Sequence, residues 1–531
     1  MSDTRTKATA LPQRRKVTAL KLERTQGVRP PFGPSPAAFF LLSFPRRRES
    51  NFTSGQGISP PLWSVVSVRI QGVVAGALAL ALAGCTVGPN YVRPDAELPA
   101  NFSGPEVDSQ ASEPLPARWW TLFDDAELTR LVDLSLARNT NIQLAVARIE
   151  EADAVVRQAG AAMFPEINLG AAAGRSRSSS AATQLPPGAQ LIRNDFRVAL
   201  STSFELDFWG KLRRAAEAAR AQALATRYGK ATVELTLAGS VTQSYLGLRS
   251  LDAQIGVSRA TLNSRQETLA LTRKRAAGGV VSDLDVQQAE GARAAITAQL
   301  AQLIQQRGLA LHQLGVLTGS LDLAVTSRED GLLPVTPVPP VGLPASLIEA
   351  RPDVRQAEQQ LVAANARIGV IKAVLFPSIS LTGSFGAEST ALSDLTKSPA
   401  RLWSGLLGLT APIFDGGRRA AAVDEATAQQ RQALALYQQT LQTAFREVSD
   451  ALTSTVQTAE TETALVAQLD AARNALRLAQ IRYDAGYTQY LEVLDAQRTA
   501  NQAELAFIQN RQARLSATVD LIKSLGTGWQ L

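Results

Sequence analysis

Two residue types are almost missing from these 531 residues: there is one cysteine, Cys85, and one histidine, His312. A single cysteine cannot close a disulfide within the chain, and no Cys/His metal cluster can be built. A Ser-His-Asp triad would have to use His312. That residue sits in a Gln- and Leu-rich helical stretch with no nucleophile motif beside it, and it reads as an ordinary helix histidine. Proline is absent over long distances: none occurs between Pro187 and Pro334, and none after Pro412. The uncharged run from Val73 to Gly84 would reach only about 18 Å as a helix, short of a bilayer core of about 30 Å. A basic surplus is also missing from most of the chain. The formal net charge is +7, but residues 1–84 hold 12 of the 54 Lys/Arg and 3 of the 47 Asp/Glu, which leaves 42 against 44 beyond them. Nucleic-acid binding therefore has no support once the leader is set aside.

What is present begins with that leader. Arg69 supplies a short positive region ahead of the Val73–Gly84 run, which has signal-peptide length. The run closes on Leu82-Ala83-Gly84-Cys85, which resembles the bacterial lipobox, in which the cysteine is acylated and becomes the mature N-terminus. Residues 65–84 are thus expected to be a lipoprotein signal peptide and Cys85 the lipidation site. An Asp after such a cysteine marks inner-membrane retention; Thr86 favours the outer membrane. Residues 1–64 are basic and proline-rich without useful periodicity. They are expected to be a disordered, mis-called extension, with translation starting near Val65, Val66 or Val68.

The remainder repeats itself. At an offset of 212, Ala145 meets Ala357, Phe164-Pro165 meets Phe376-Pro377, and Gly174 meets Gly386. At an offset of 207, Arg275 meets Arg482, Gly279 meets Gly486, and Leu284 meets Leu491. Two matched segments in one order predict a duplicated unit, 85–335 and 336–531, joined through the proline-rich stretch near Pro337 and Pro340. Each half is expected to run helix, strand, strand, long helix, helix. Phe196, Val198, Leu200, Thr202, Phe204 and Leu206 alternate with polar partners over twice the usual strand length, which fits a strand with lipid on one side and a polar lumen on the other. Trp403, Leu407, Leu409 and Ile413 carry the same period more weakly. Ser-rich or polar loops are expected at 175–194 and 387–400. After each strand pair, 67 proline-free residues (210–276 and 417–483) predict a helix of about 100 Å, which needs coiled-coil partners along its length. Gly279 and Gly486 then reverse the chain. Four strands cannot close a barrel, since open edges in lipid leave backbone groups unpaired, so two, three or four copies would have to share one.

Taken together, Cys85 to Tyr91, Trp119-Trp120, Arg351-Pro352-Asp353, Phe414 to Arg419, Tyr490 to Arg498 and Leu525 to Trp529 resemble the TolC-like outer membrane factors, specifically the OprM/NodT-type efflux lipoproteins. The resemblance covers nearly all of 85–531. It implies a mixed α and β fold: a homotrimer with a 12-stranded transmembrane β-barrel, four strands per chain, continued by a long periplasmic α-helical coiled-coil barrel. It implies a passive conduit in the outer membrane that extends into the periplasm, and not an enzyme. Its partners would be a periplasmic adaptor (membrane fusion protein), an inner-membrane pump of the resistance-nodulation-division type, and outer-membrane lipid. No cofactor is implied beyond the covalent lipid at Cys85. By the same resemblance Leu491, Glu492 and Asp495 form the periplasmic gate, and Asp285, Arg482 and Tyr483 its clasp. Gly279, Val280, Leu284, Gly486 and Tyr490 become the tips that an adaptor touches. Thr488 departs from the family pattern, standing where TolC has a gate arginine. The competing reading is a periplasmic adaptor lipoprotein, which predicts one helical hairpin flanked by small β domains.

Overall fold

The computed structural model describes residues 86–95, 99, 102, 116–179, 181, 190–328, 333–334 and 351–526. Cys85, the signal segment 65–84, the extension 1–64 and most of the proline-rich connector lie outside the described residues.

A 3-10 turn, Trp119–Phe123, leads into α1 (Ala126–Arg138) and α2 (Thr140–Ala161). Asp125 starts α1 by accepting hydrogen bonds from the Glu127 and Leu128 amides at 2.9 and 3.1 Å, the usual remedy for unpaired N–H groups at a helix start. Strands β1 (Glu166–Arg177) and β2 (Ile192–Leu206) follow, then α3 (Lys211–Ala277) and α4 (Asp283–Thr318). From α2 onward the order recurs as α5 (Pro352–Ala373), β3 (Ser378–Ser389), β4 (Arg401–Thr410), α6 (Arg418–Asp484) and α7 (Tyr490–Ser524).

The strands form one antiparallel sheet in the order β1-β2-β3-β4. Its register sets side chains into rows. Leu169, Leu200, Phe385 and Trp403 share one row; Phe204, Leu381 and Leu407 share another on the same face. The opposite face carries Asn168, Ser201, Ser384 and Ser404, with the Ser384 and Ser404 hydroxyls 2.8 Å apart. Strands run three residues further into the expected loops, to Arg177, Ile192 and Ser389. On β4 the pattern stops at Thr410 and does not reach Ile413, because Pro412 has no N–H to extend the ladder.

Helices α3 and α6 are each 67 residues long, one residue later than the sequence places them. The shift has a local cause. Gly210 (φ 78°) and Gly417 (φ 84°) hold left-handed conformations and act as caps rather than first helical residues. The carboxylate of Asp207 accepts the Leu212 and Arg213 amides, and that of Asp415 accepts the Gly417 and Arg419 amides, so both turns are built alike. Midway along the helices, Trp119, Phe123, Leu128, Leu131, Val241, Tyr245, Leu314 and Leu515 are buried in one cluster. Beside it, fully buried Asp252 binds Arg249, Arg307 (Nε at 2.5 Å) and the Ser327 hydroxyl, tying the chain after α4 back to α3. Among the described residues no helix is long and apolar enough to cross a membrane.

Candidate functional site

Two regions can meet a membrane or a passing solute: the sheet, and the far ends of the helical hairpins. On the sheet, one face leaves large apolar side chains in the open. Trp403 is 81% exposed, and Ile167, Leu169, Phe385, Leu407 and Leu409 are exposed as well. The polar face, with Asn168, Ser201, Ser203, Thr382, Ser384 and Ser404, bounds a concavity of about 340 Å³. Apolar outside the curve and hydroxyl-lined within it is the reverse of a soluble sheet packed on a core. At the helix-side end, Trp209 stacks on Phe376 with ring centroids 4.8 Å apart and donates its indole N–H to the Pro377 carbonyl at 2.7 Å. This is the amphipathic pairing expected where an apolar band meets water.

The hairpin ends are turned by Gly279 (φ 71°) and Gly486 (φ 80°), where a side chain would be strained. Val280, Leu284 and Tyr487 are exposed there. Tyr490 differs from its sequence assignment as a contact tip. It is 2% exposed, packed with Leu269, Ala289, Ala479 and Val493, and its ring lies 5.6 Å from that of Tyr483. Burial holds its phenol above the usual tyrosine range. The residues exposed at the hairpin ends are therefore Gly279, Val280, Leu284 and Gly486, with Tyr487 added.

The residues read as gate and clasp fall into three groups. Leu491, 57% exposed, and Asp495 stand four residues apart on one face of α7 and bound a cavity of about 340 Å³ with Arg265, Leu494 and Arg498. Asp495 pairs with Arg498 at 2.5 Å. Glu492 faces the other way: it takes a hydrogen bond from Thr488 and lies 3.9 Å from Arg482 across the turn. Thr488, which departs from the family pattern, thus holds the turn together. Asp285 closes a capping box with Ser282 at the start of α4, and Tyr483 lies under the guanidinium of Arg275 at 5.1 Å. Arg265 was missed in the sequence. Buried on α3, it donates to Gln497 and bonds to Tyr490, joining the first hairpin to α7. Its partner Gln497 is 232 positions away, so no local pattern could have marked it. Among the described residues no cluster of His, Cys, Asp and Glu could hold a metal ion.

The sequence profile of outer membrane efflux proteins matches residues 131–320 and 343–527. The chain belongs to the outer membrane efflux protein family. OprJ of Pseudomonas aeruginosa, an outer membrane protein, is 37% identical over 463 residues, covering 86% of this chain and 96% of OprJ. CusC of Escherichia coli K12, a cation efflux system protein, is 32% identical over 459 residues, covering 85% of this chain and 98% of CusC. The solved CmeC outer membrane channel of Campylobacter jejuni superposes with a TM-score of 0.78 at 25% identity, covering 84% of this chain and 96% of CmeC. As a member of this family, the chain is an outer-membrane channel subunit of an efflux pump that extends into the periplasm. The adaptor reading is set aside, since the matched proteins are channels and the chain carries two hairpins.

Proposed function

We propose that three copies close one 12-stranded barrel and continue it as a helical tube, forming a passive conduit that receives solutes from a periplasmic adaptor and an inner-membrane pump of the resistance-nodulation-division type. One observation carries the reading: the sheet is an open sheet of four strands with its outer face apolar. Its edges, β1 and β4, have unpaired backbone groups, which lipid cannot satisfy, so β4 must pair with β1 of another copy. Between Phe196 and Leu206, β2 spans about 33 Å along its axis, or about 25 Å at a tilt near 40°, the height of an outer-membrane apolar band. Two halves with the same element order support descent from one duplicated unit.

The acyl anchor at Cys85 fits the same picture. The Val87 amide bonds to the Trp209 carbonyl at 3.0 Å. A Cβ on Gly210 would come within 2.9 Å of Thr86. The residue next to the cysteine is thus pinned at the helix-side end of the sheet, where acyl chains could enter the inner leaflet. At the tips, Leu491 and Asp495 of each copy form the constriction, and Arg482, Tyr483 and Asp285 stabilise its closed state. Solute choice rests with the pump, as the conduit's lining offers hydroxyls and scattered charges rather than an enclosed binding pocket.

The test is electrophoresis of detergent-extracted protein with fatty-acid labelling. Unheated wild type should run as a trimer that collapses to monomer on boiling, and Cys85→Ala should lose label but keep the trimer. A monomer in mild detergent, or label surviving in Cys85→Ala, contradicts the reading.

A further inference from the structure

The strand register sorts charge by face. Glu166, Arg193, Asp195, Arg197, Glu205 and Glu388 all fall on the concave, hydroxyl-bearing face. Arg193 and Arg197 lie 4.0 and 3.7 Å from Glu388 there. Among the described residues of the apolar face the only charged positions are Arg175, Arg177 and Arg401, all exposed. None of the three has an ion-pair partner among the described residues. All three sit toward the end of the sheet remote from the long helices: Arg401 two residues beyond Trp403, and Arg175 and Arg177 six and eight residues beyond Leu169, which shares the row of Trp403. They also occur only on β1 and β4, the two edge strands, while β2 and β3 have no charge on that face.

Closing the sheet into a ring brings β4 of one copy beside β1 of the next. Within one copy Arg401 shares its row with Ala171, and the stagger that a closed barrel requires carries it along the neighbour's β1 toward Arg175 and Arg177, with no carboxylate on that face to balance them. Like charges that converge at a low-dielectric boundary require a counter-ion. A guanidinium fork suits a phosphate, which it can bind through two parallel N–H···O bonds. A free anion would hold only the charge. A phosphorylated glycolipid of the outer leaflet would place its phosphate at the arginines and its acyl chains on Trp403, Leu407 and Leu169 below. We propose that Arg175, Arg177 and Arg401 form a seam site at the outer rim that binds the phosphorylated headgroup of an outer-leaflet glycolipid and ties neighbouring copies together. This rests on the shared-barrel reading above.

Native mass spectrometry of the purified, delipidated oligomer tests it, after reloading with the bis-phosphorylated disaccharide lipid of the outer leaflet or with its dephosphorylated form. Wild type should retain the phosphorylated lipid at about one per seam and release the dephosphorylated one. Retention should fall at least about tenfold in R175Q/R177Q/R401Q and stay at the wild-type level in R193Q/R197Q, which removes charge from the inner face. Should the triple variant fail to assemble, R177Q alone should still show a graded loss. Equal retention in the outer-face variants, equal binding of the dephosphorylated lipid, or equal loss in the inner-face pair would overturn the proposal. Conductance of the same oligomer keeps the two readings apart. A conducting oligomer without selective retention removes only the lipid site; an oligomer that never conducts removes the channel reading beneath it.

Discussion

A carboxylate with no exposure inside a helical bundle must be met by cations, and Asp252 is met by two. Arg249 approaches at 3.2 Å and Arg307 at 2.5 Å, while the Ser327 hydroxyl and the Arg328 amide also donate to it. Arg249 is itself buried, lies 5.9 Å from the Tyr245 ring, and leaves two guanidinium nitrogens without hydrogen-bond partners. Removing the carboxylate therefore strands a buried cation, which typically costs about 3–5 kcal/mol. Asp252→Ala should lower the dissociation temperature of the oligomer markedly, while the sheet, which makes no contact with this cluster, still inserts. A thermal midpoint unchanged from wild type would show that the cluster is ornamental. The sequence offered no sign of it: Asp252 and Ser327 are 75 positions apart, and a charged residue in a Gln-, Ala- and Leu-rich helix reads as a solvated one.

At the scale of elements, face matters more than position along the strand. Leu200 and Ser201 are adjacent, yet Leu200 shares its row with Leu169 and Phe385, and Ser201 with Asn168 and Ser384. An arginine on the lipid side near mid-bilayer costs about 2–4 kcal/mol, whereas the lumen side tolerates it. Leu200→Arg should thus deplete folded channel from the outer membrane. Ser201→Arg should fold normally and narrow the pore. Equal amounts of folded protein from both variants, measured by the heat-modifiable gel shift, would mean the faces are assigned backwards. This alternation was legible because period two over many residues has few other causes. The 67-residue helices were legible from the absence of proline. Their ends were less so: glycines in left-handed turns moved each start by one residue. The interior of the tip was not legible at all. Tyr490 reads locally as a surface aromatic at a turn, and only the packing of α3, α4 and α6 against α7 buries it.

For the whole molecule, the proposed shared barrel turns hydroxyl and charged side chains to its lumen, and the hairpin ends are where resistance to flow is proposed to arise. Three copies of Asp495 around one axis would repel one another, which on its own would spread the tips. In the single chain each is neutralised by Arg498, and Arg265 holds α7 against α3 through Tyr490 and Gln497. On the gate proposed above, closure would depend on Leu491 meeting its copies at the axis and on these ties rather than on the acidic ring. A ring of carboxylates should still favour cations. Planar-bilayer recording of the purified oligomer is the most direct test of a membrane channel constricted at its periplasmic end. Wild type should show a small, cation-preferring conductance, Leu491→Ser a larger one, and Asp495→Ala a weaker cation preference. An oligomer that passes no current, or one whose conductance and selectivity are untouched by both substitutions, would contradict it.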